Sequence, residues 1–178
     1  SAGELTVGNT ASTNYQAFAG FNTTDEPYLE FFVTASNIDL GYLDTATTST
    51  ATGTFSVRAW QSSGYIITTQ SDPPSNGNHT LTNLTSPTAS ATNTEQFGIN
   101  LVDNSSPDVG SNLQQMPDGT FSFGQVESGY DTANLFKYVK GDTVARSTKS
   151  SSITQYTVSY IFNINNFTPA GEYTFRHT

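Results

Sequence analysis

Apolar positions along this chain recur every second residue in short runs, the signature of half-buried strands. The longest run lies near the C-terminus. There Tyr156, Val158, Tyr160, Phe162 and Ile164 share one face, and Thr157, Ser159 and Asn163 share the other. The turn NNFTPAGE follows, with Pro169 and Gly171, and residues 173–178 predict a return strand that pairs back as a hairpin. That return strand is short, so part of the flank of 156–164 is expected to stay open to a partner.

Upstream, residues 4–8 and 15–21 predict short strands. Residues 28–33 (YLEFFV) are apolar on both faces except at Glu30, which predicts a central or covered strand. Residues 38–43 alternate, and the Thr-rich segment 44–53 has no apolar period and reads as a surface loop. Residues 54–60 and 65–69 read as the two arms of a hairpin around a loop containing Gly64. Breakers crowd 71–78, and Leu81 and Leu84 mark a short strand or edge. Residues 95–102 form a strong strand through Phe97, Ile99 and Leu101. The stretch 103–118 is irregular, 120–123 is a short strand and 125–134 a loop. Residues 135–140 alternate and continue past a turn into 143–146, while 147–152 read as polar and flexible. About ten to twelve short strands at turn spacing predict a single all-β sandwich over residues 1–178, of jelly-roll or Greek-key type. Residues 1–13 form an extended N-terminal arm ahead of it.

Composition narrows the function classes. Ser, Thr and Asn make up more than a third of the chain, while charged residues supply 12%. The net charge of −9, with six Lys and Arg in all, opposes binding to nucleic acid or an anionic membrane. No apolar run is long enough to span a bilayer. Cysteine is absent, so no disulfide framework holds the fold. The start at Ser1-Ala2-Gly3 reads as a processed N-terminus, which points to an extracellular or cell-surface protein.

Candidate chemistry is sparse. The two histidines, His79 and His177, sit in a breaker-rich loop and at the chain end, and both read as surface residues without a nucleophile motif. Glu30, Glu95, Glu127 and Glu172 are the carboxylates from which a glycosidase pair would be drawn, and Glu30 lies within an apolar strand. The string QSSGY at 61–65 is similar to a motif of small jelly-roll xylanases, but Ala59-Trp60 stand where those enzymes carry a catalytic Glu. No catalytic residue is assigned and no cofactor is expected. Asp103 and Asp108 are weak calcium candidates that equally suit Asx turns. Trp60 and Tyr130 are the aromatic pair a carbohydrate-binding or adhesin module would use, with loops 103–118 and 125–134. Lys137 is the lysine best placed for a crosslink to an Asn.

Four strings, GFNTTDEPYLEF, SPTAS with NTEQFGINLV, FSFGQVESGYDTANLFKYVKGDT and TVSYIFNINNFTPAGEYT, carry a resemblance. Together they resemble uncharacterised secreted surface proteins of ultrasmall, host-associated bacteria of the Saccharibacteria and other candidate-phyla type. The resemblance implies export, a cell-surface setting and a β-sandwich, with a last strand that runs further than it does here. The expected function is a structural subunit of an extracellular filament or surface assembly, a homopolymer joined by strand addition. Leu5 and Val7 of the arm would be the donor, and Tyr173, Phe175 and Thr178 part of the acceptor edge. The alternative is a secreted module that binds a host or cell-surface glycan.

Overall fold

A computed structural model describes residues 26–34 and 37–178. The arm 1–13, with Leu5 and Val7, and the strands expected at 4–8 and 15–21 lie outside the described residues. Among the described residues there are ten strands and no helix, arranged in antiparallel sheets that do not close into a barrel. The architecture is an all-β sandwich.

The larger sheet is built on β10 (Ser151–Asn163), which corresponds to the strongest alternating run. One flank of β10 pairs with β2 (Ser49–Trp60) along almost its whole length, from Ser151↔Ala59 to Phe162↔Ser49. The other flank is shared: β4 (Gln96–Asn100) takes Ser159–Asn163, and β7 (Gln114–Gln115) takes Thr154 and Gln155. β1 (Tyr28–Val33) pairs with the free side of β2 and ends the sheet. The smaller sheet runs β3 (Tyr65–Thr68), β9 (Thr143–Ser147), β8 (Gln125–Val126). β5 (Asn104–Ser105) and β6 (Asp108–Val109) form a separate two-stranded ribbon.

Several expectations are corrected. Residues 54–60 and 65–69 are not a hairpin, because β3 pairs with β9 and the turn 61–64 carries the chain from one sheet to the other. The return crossing, 148–150, lies against this turn. Gly64 has φ +115°, and any Cβ there would fall on the Ser147 carbonyl, so only glycine lets the two crossings touch. Residues 143–147 thus form an independent strand, and Ser151 and Ser152 belong to β10. Residues 38–43 form no strand. Residues 49–53, read as loop, are the first half of β2, since β10 needs a partner of its own length and threonine suits a pleated surface. Residues 120–123 are a turn on the Asp118 carbonyl, and 135–140 contribute only the bridges of Phe136 and Lys137.

The final hairpin is also corrected. Both flanks of β10 are already taken, so residues 173–178 do not return along it. They run beside 70–75 instead: Thr174 and Ser75 exchange backbone bonds of 3.0 and 3.1 Å, and the Gln70 N–H donates to the Thr178 carbonyl at 2.8 Å.

The core lies between the sheets. Phe55, Val57 and Ala59 of β2, Tyr156, Val158, Tyr160 and Phe162 of β10 and Phe97 and Ile99 of β4 face Tyr65, Val144 and Ala145 of the smaller sheet. The opposite face of β4 and β10 is buried too, where Ile161 and Phe136 meet Leu84 and Val109. Gly98 permits this, because a Cβ there would sit 2.9 Å from Phe136 Cβ. Phe97 touches the rings of Tyr138, Phe162 and Phe175, with centroids 4.8 to 5.3 Å away. Phe97→Ala is expected to cost about 3–5 kcal/mol in urea unfolding. Phe32→Thr, at an exposed position, should change stability by no more than ~0.5 kcal/mol.

Candidate functional site

The two ends of the larger sheet are finished differently. Beyond β4, Ile99 exchanges backbone bonds of 3.0 Å with Lys137, and Leu84 and Thr82 bond to the backbone of Phe97. Irregular chain therefore caps that edge. At the other end, β1 has no pairing on its outer side among the described residues.

The register of β1 shows what its edge presents. The Thr34 N–H donates to the Thr54 carbonyl at 3.0 Å, which makes Phe32/Ser56, Glu30/Arg58 and Tyr28/Trp60 the hydrogen-bonded pairs. Leu29, Phe31 and Val33 consequently turn their N–H and C=O groups outward. No Lys, Pro or bulge interrupts the six residues. The side chains are exposed on both faces: Tyr28 40%, Leu29 58%, Phe31 52%, Phe32 50% and Val33 63%. Among the described residues, the strand read as central or covered is an apolar strand at the edge of its sheet. Glu30 meets Arg58 in an ion pair, not an apolar surround, and the Arg58 guanidinium lies 5.4 Å from the Tyr28 ring centroid. The edge is thus nearly neutral within a strongly acidic protein.

The larger sheet is also wider than the smaller sheet packed on it. At the β4 end, Phe175 and His177 extend the cover over Phe97, Tyr138 and Tyr160. At the β1 end, Phe31 stacks on Phe55 with centroids 5.5 Å apart and still keeps half its surface exposed.

The other predicted residues are scattered. Tyr173 and Phe175 pack on the core instead of forming an edge, and Thr178 is tied to Ser71. Trp60 is 46% exposed, but Tyr130 is buried at 1% with its hydroxyl on Asp142 at 3.0 Å, so the expected aromatic pair does not form. The exposed aromatic beside Trp60 is its cross-strand neighbour Tyr28. Loops 103–118 and 125–134 do come together, around an open depression of roughly 600 Å³ that includes Leu113, Gln125 and Asp131.

Asparagines shape that region. Asn104 donates to the Val102 and Val109 carbonyls and accepts from the Asn134 N–H, and Asn134 accepts from the N–H groups of Ser105 and Ser106. The Asp103 N–H donates to Asn112. Asp103 and Asp108 belong to no group of three His, Cys, Asp or Glu among the described residues. Lys137 Nζ lies 2.6 Å from Asp142 Oδ2, an ion pair with a carboxylate in place of the expected Asn.

Three of the four carboxylates from which a glycosidase pair would be drawn, Glu30, Glu95 and Glu127, meet basic partners. Glu127 faces Arg146 at 3.1 Å, and Glu95 faces His79 at 2.9 Å. Glu95 also accepts from Thr168 at 2.6 Å and from the Thr82 N–H and hydroxyl. It ties the irregular segment 79–82 to the loop after β10. Comparison with known families, characterised proteins and solved structures finds no match, so the functional reading rests on this geometry.

Burial raises the Glu95 pKa, but the hydrogen bonds from Thr168, His79 and Thr82 bring it below the usual carboxylate value of 4.5. Its contribution is therefore complete above that value and is lost as pH falls through the lower folded one. Glu95→Gln should lose about 1–3 kcal/mol at pH 7 and show a shallower acid decline than the wild type in urea unfolding at pH 7 and pH 3.

Proposed function

We propose that the protein is a structural subunit of an extracellular filament or surface assembly, whose copies join by strand addition at β1. The carrying observation is that edge, unpaired on its outer side among the described residues. β1 offers three outward backbone N–H and C=O pairs flanked by exposed apolar side chains on both faces. Natural sheets blunt such edges with Lys, Pro, bulges or covering loops, because an unguarded edge is a template for another strand.

A second copy of the chain is the occupant that fits. With a net charge of −9, copies repel over most of their surface, and the compensated Glu30–Arg58 pair makes β1 a place where that repulsion is weak. An incoming alternating strand would satisfy the outward groups and cover Leu29, Phe31 and Val33 beyond the width of the smaller sheet. Residues 1–13, with Leu5 and Val7 in alternation, are the proposed donor. Donor and acceptor are then different surfaces, so the contact is heterologous and propagates. The second reading, glycan binding, draws on the neighbouring exposed rings of Tyr28 and Trp60.

The wild type is expected to polymerise by light scattering and negative-stain imaging. Leu29→Pro with Val33→Pro removes two outward N–H donors and leaves the bonds to β2 intact. That variant should stay monomeric with its melting temperature shifted by only a few degrees. Fibres that survive it would overturn the edge, and fibres that survive deletion of residues 1–13 would overturn the donor. A monodisperse wild type that binds polysaccharide, and loses binding on Trp60→Ala, would replace the first reading with the second.

A further inference from the structure

We infer that the C-terminal segment 173–178 is an acid-released latch, with His177 as its titrating pin. The segment is extended and alternates strictly: Tyr173, Phe175 and His177 are half-buried, while Thr174, Arg176 and Thr178 are exposed. Among the described residues its backbone is held at two places, by Ser75 and by Gln70 and Ser71. Side chains therefore do most of the docking. Phe175 packs between Phe97 and Tyr160, and His177 sits against Tyr138 and Tyr160 with centroids 6.1 and 5.7 Å away.

The His177 ring is held by two hydroxyls. Nδ1 lies 2.8 Å from Tyr160 Oη, and Nε2 lies 2.9 Å from Thr69 Oγ1. Thr69 in turn donates to Tyr138 Oη, which donates to the Ser71 carbonyl. From β10 the facing titratable group is Tyr160, from the 136–138 segment Tyr138, and from the chain after β3 only the Thr69 hydroxyl. Arg176 precedes His177 on the segment itself, and the Lys140–Asp72 pair, 2.8 Å apart, acts on the neighbouring Tyr138. Among the described residues no carboxylate contacts the ring. An imidazolium there would lose water and gain no counter-charge.

Burial accordingly pulls the His177 pKa from 6.5 down to about 4. With the docked value below the free one, docking is fully stabilised above 6.5 and weakens as pH falls toward 4. Release uncovers Phe97, Tyr138 and Tyr160, extending the apolar face of the larger sheet at the end opposite β1. At the other end of the segment, Tyr173 meets the edge of His79, whose partner Glu95 also weakens in acid. The two ends must therefore be separated experimentally.

The test uses the full chain, by hydrogen exchange corrected for the intrinsic pH dependence, and by NMR titration of the two histidines. Protection of 173–178 is expected to fall on the order of a hundredfold between pH 7 and pH 3.5, while β10 stays protected. His177→Gln should abolish that step, and Glu95→Gln should leave it in place. The latch is overturned if His177 titrates at its ordinary value, if protection does not change, or if β10 loses protection together with the segment. These readouts do not involve assembly, so they stand or fall separately from the role of β1.

Discussion

β10 has two buried faces and two occupied flanks, and the rest of the molecule is arranged to supply them. One face carries Thr154, Tyr156, Val158, Tyr160 and Phe162 into the sandwich, and the other buries Ser159 and Ile161 under Phe136 and Val109. At about 3.4 Å per residue, its thirteen residues span more than any other single strand here. β2 is nearly as long and pairs along it. The opposite flank is divided between β4 and β7, and the capping segments 82–84 and 136–138 finish the sheet beyond β4. The sheet then extends past β2, and among the described residues β1 is its last strand.

The core follows from a chain rich in tyrosine and poor in long aliphatic side chains. Rings fill the space between the sheets, and each buried hydroxyl needs a partner. Tyr65 and Tyr156 bond to each other at 2.8 Å, Tyr138 bonds to Thr69 and Ser71, Tyr130 to Asp142 and Tyr160 to His177. Burial holds all five phenols above the ordinary tyrosine value, so they remain neutral donors and acceptors. Asn163 Oδ1 is the exception, buried without a partner among the described residues. This network sits where a domain without cysteine has no disulfide to hold its sheets together.

The fold class and the strands β4 and β10 were legible because period two with large side chains is a strong signal. Pairing was not. Residues 65–69 follow 54–60 across a short glycine turn, which on local grounds is a hairpin. The pairing of β3 with β9, with Gly64 against Ser147, shows that the turn crosses between sheets. Residues 49–53 were hidden because Thr, Ala and Gly pair along β10 without showing an apolar period. His177 reads as a surface residue until the fold sets Tyr160 and Thr69 around it. Residues 28–33 were legible in pattern and misread in place. Apolar side chains on both faces ordinarily mean a covered strand, and here the same pattern belongs to a strand at the sheet edge with exposed side chains.

The mismatch in sheet width connects these findings. A larger sheet packed on a narrower one leaves apolar surface at both margins. At the β4 margin the chain covers its own surplus, through Phe175 and His177 over Phe97, Tyr138 and Tyr160. At the β1 margin the surplus is greater, since Leu29, Phe31 and Val33 are each more than half exposed. Apolar surface removed from water is worth roughly 25 cal/mol per Å², so side chains of this size gain on the order of 1.5–3 kcal/mol each when fully covered. Covering three of them and pairing their outward backbone groups makes a driving force that needs no charged contact, which suits a chain whose copies otherwise repel. An edge of that kind would be a standing hazard in a protein meant to remain single, and it is the surface on which a protein built to assemble would depend.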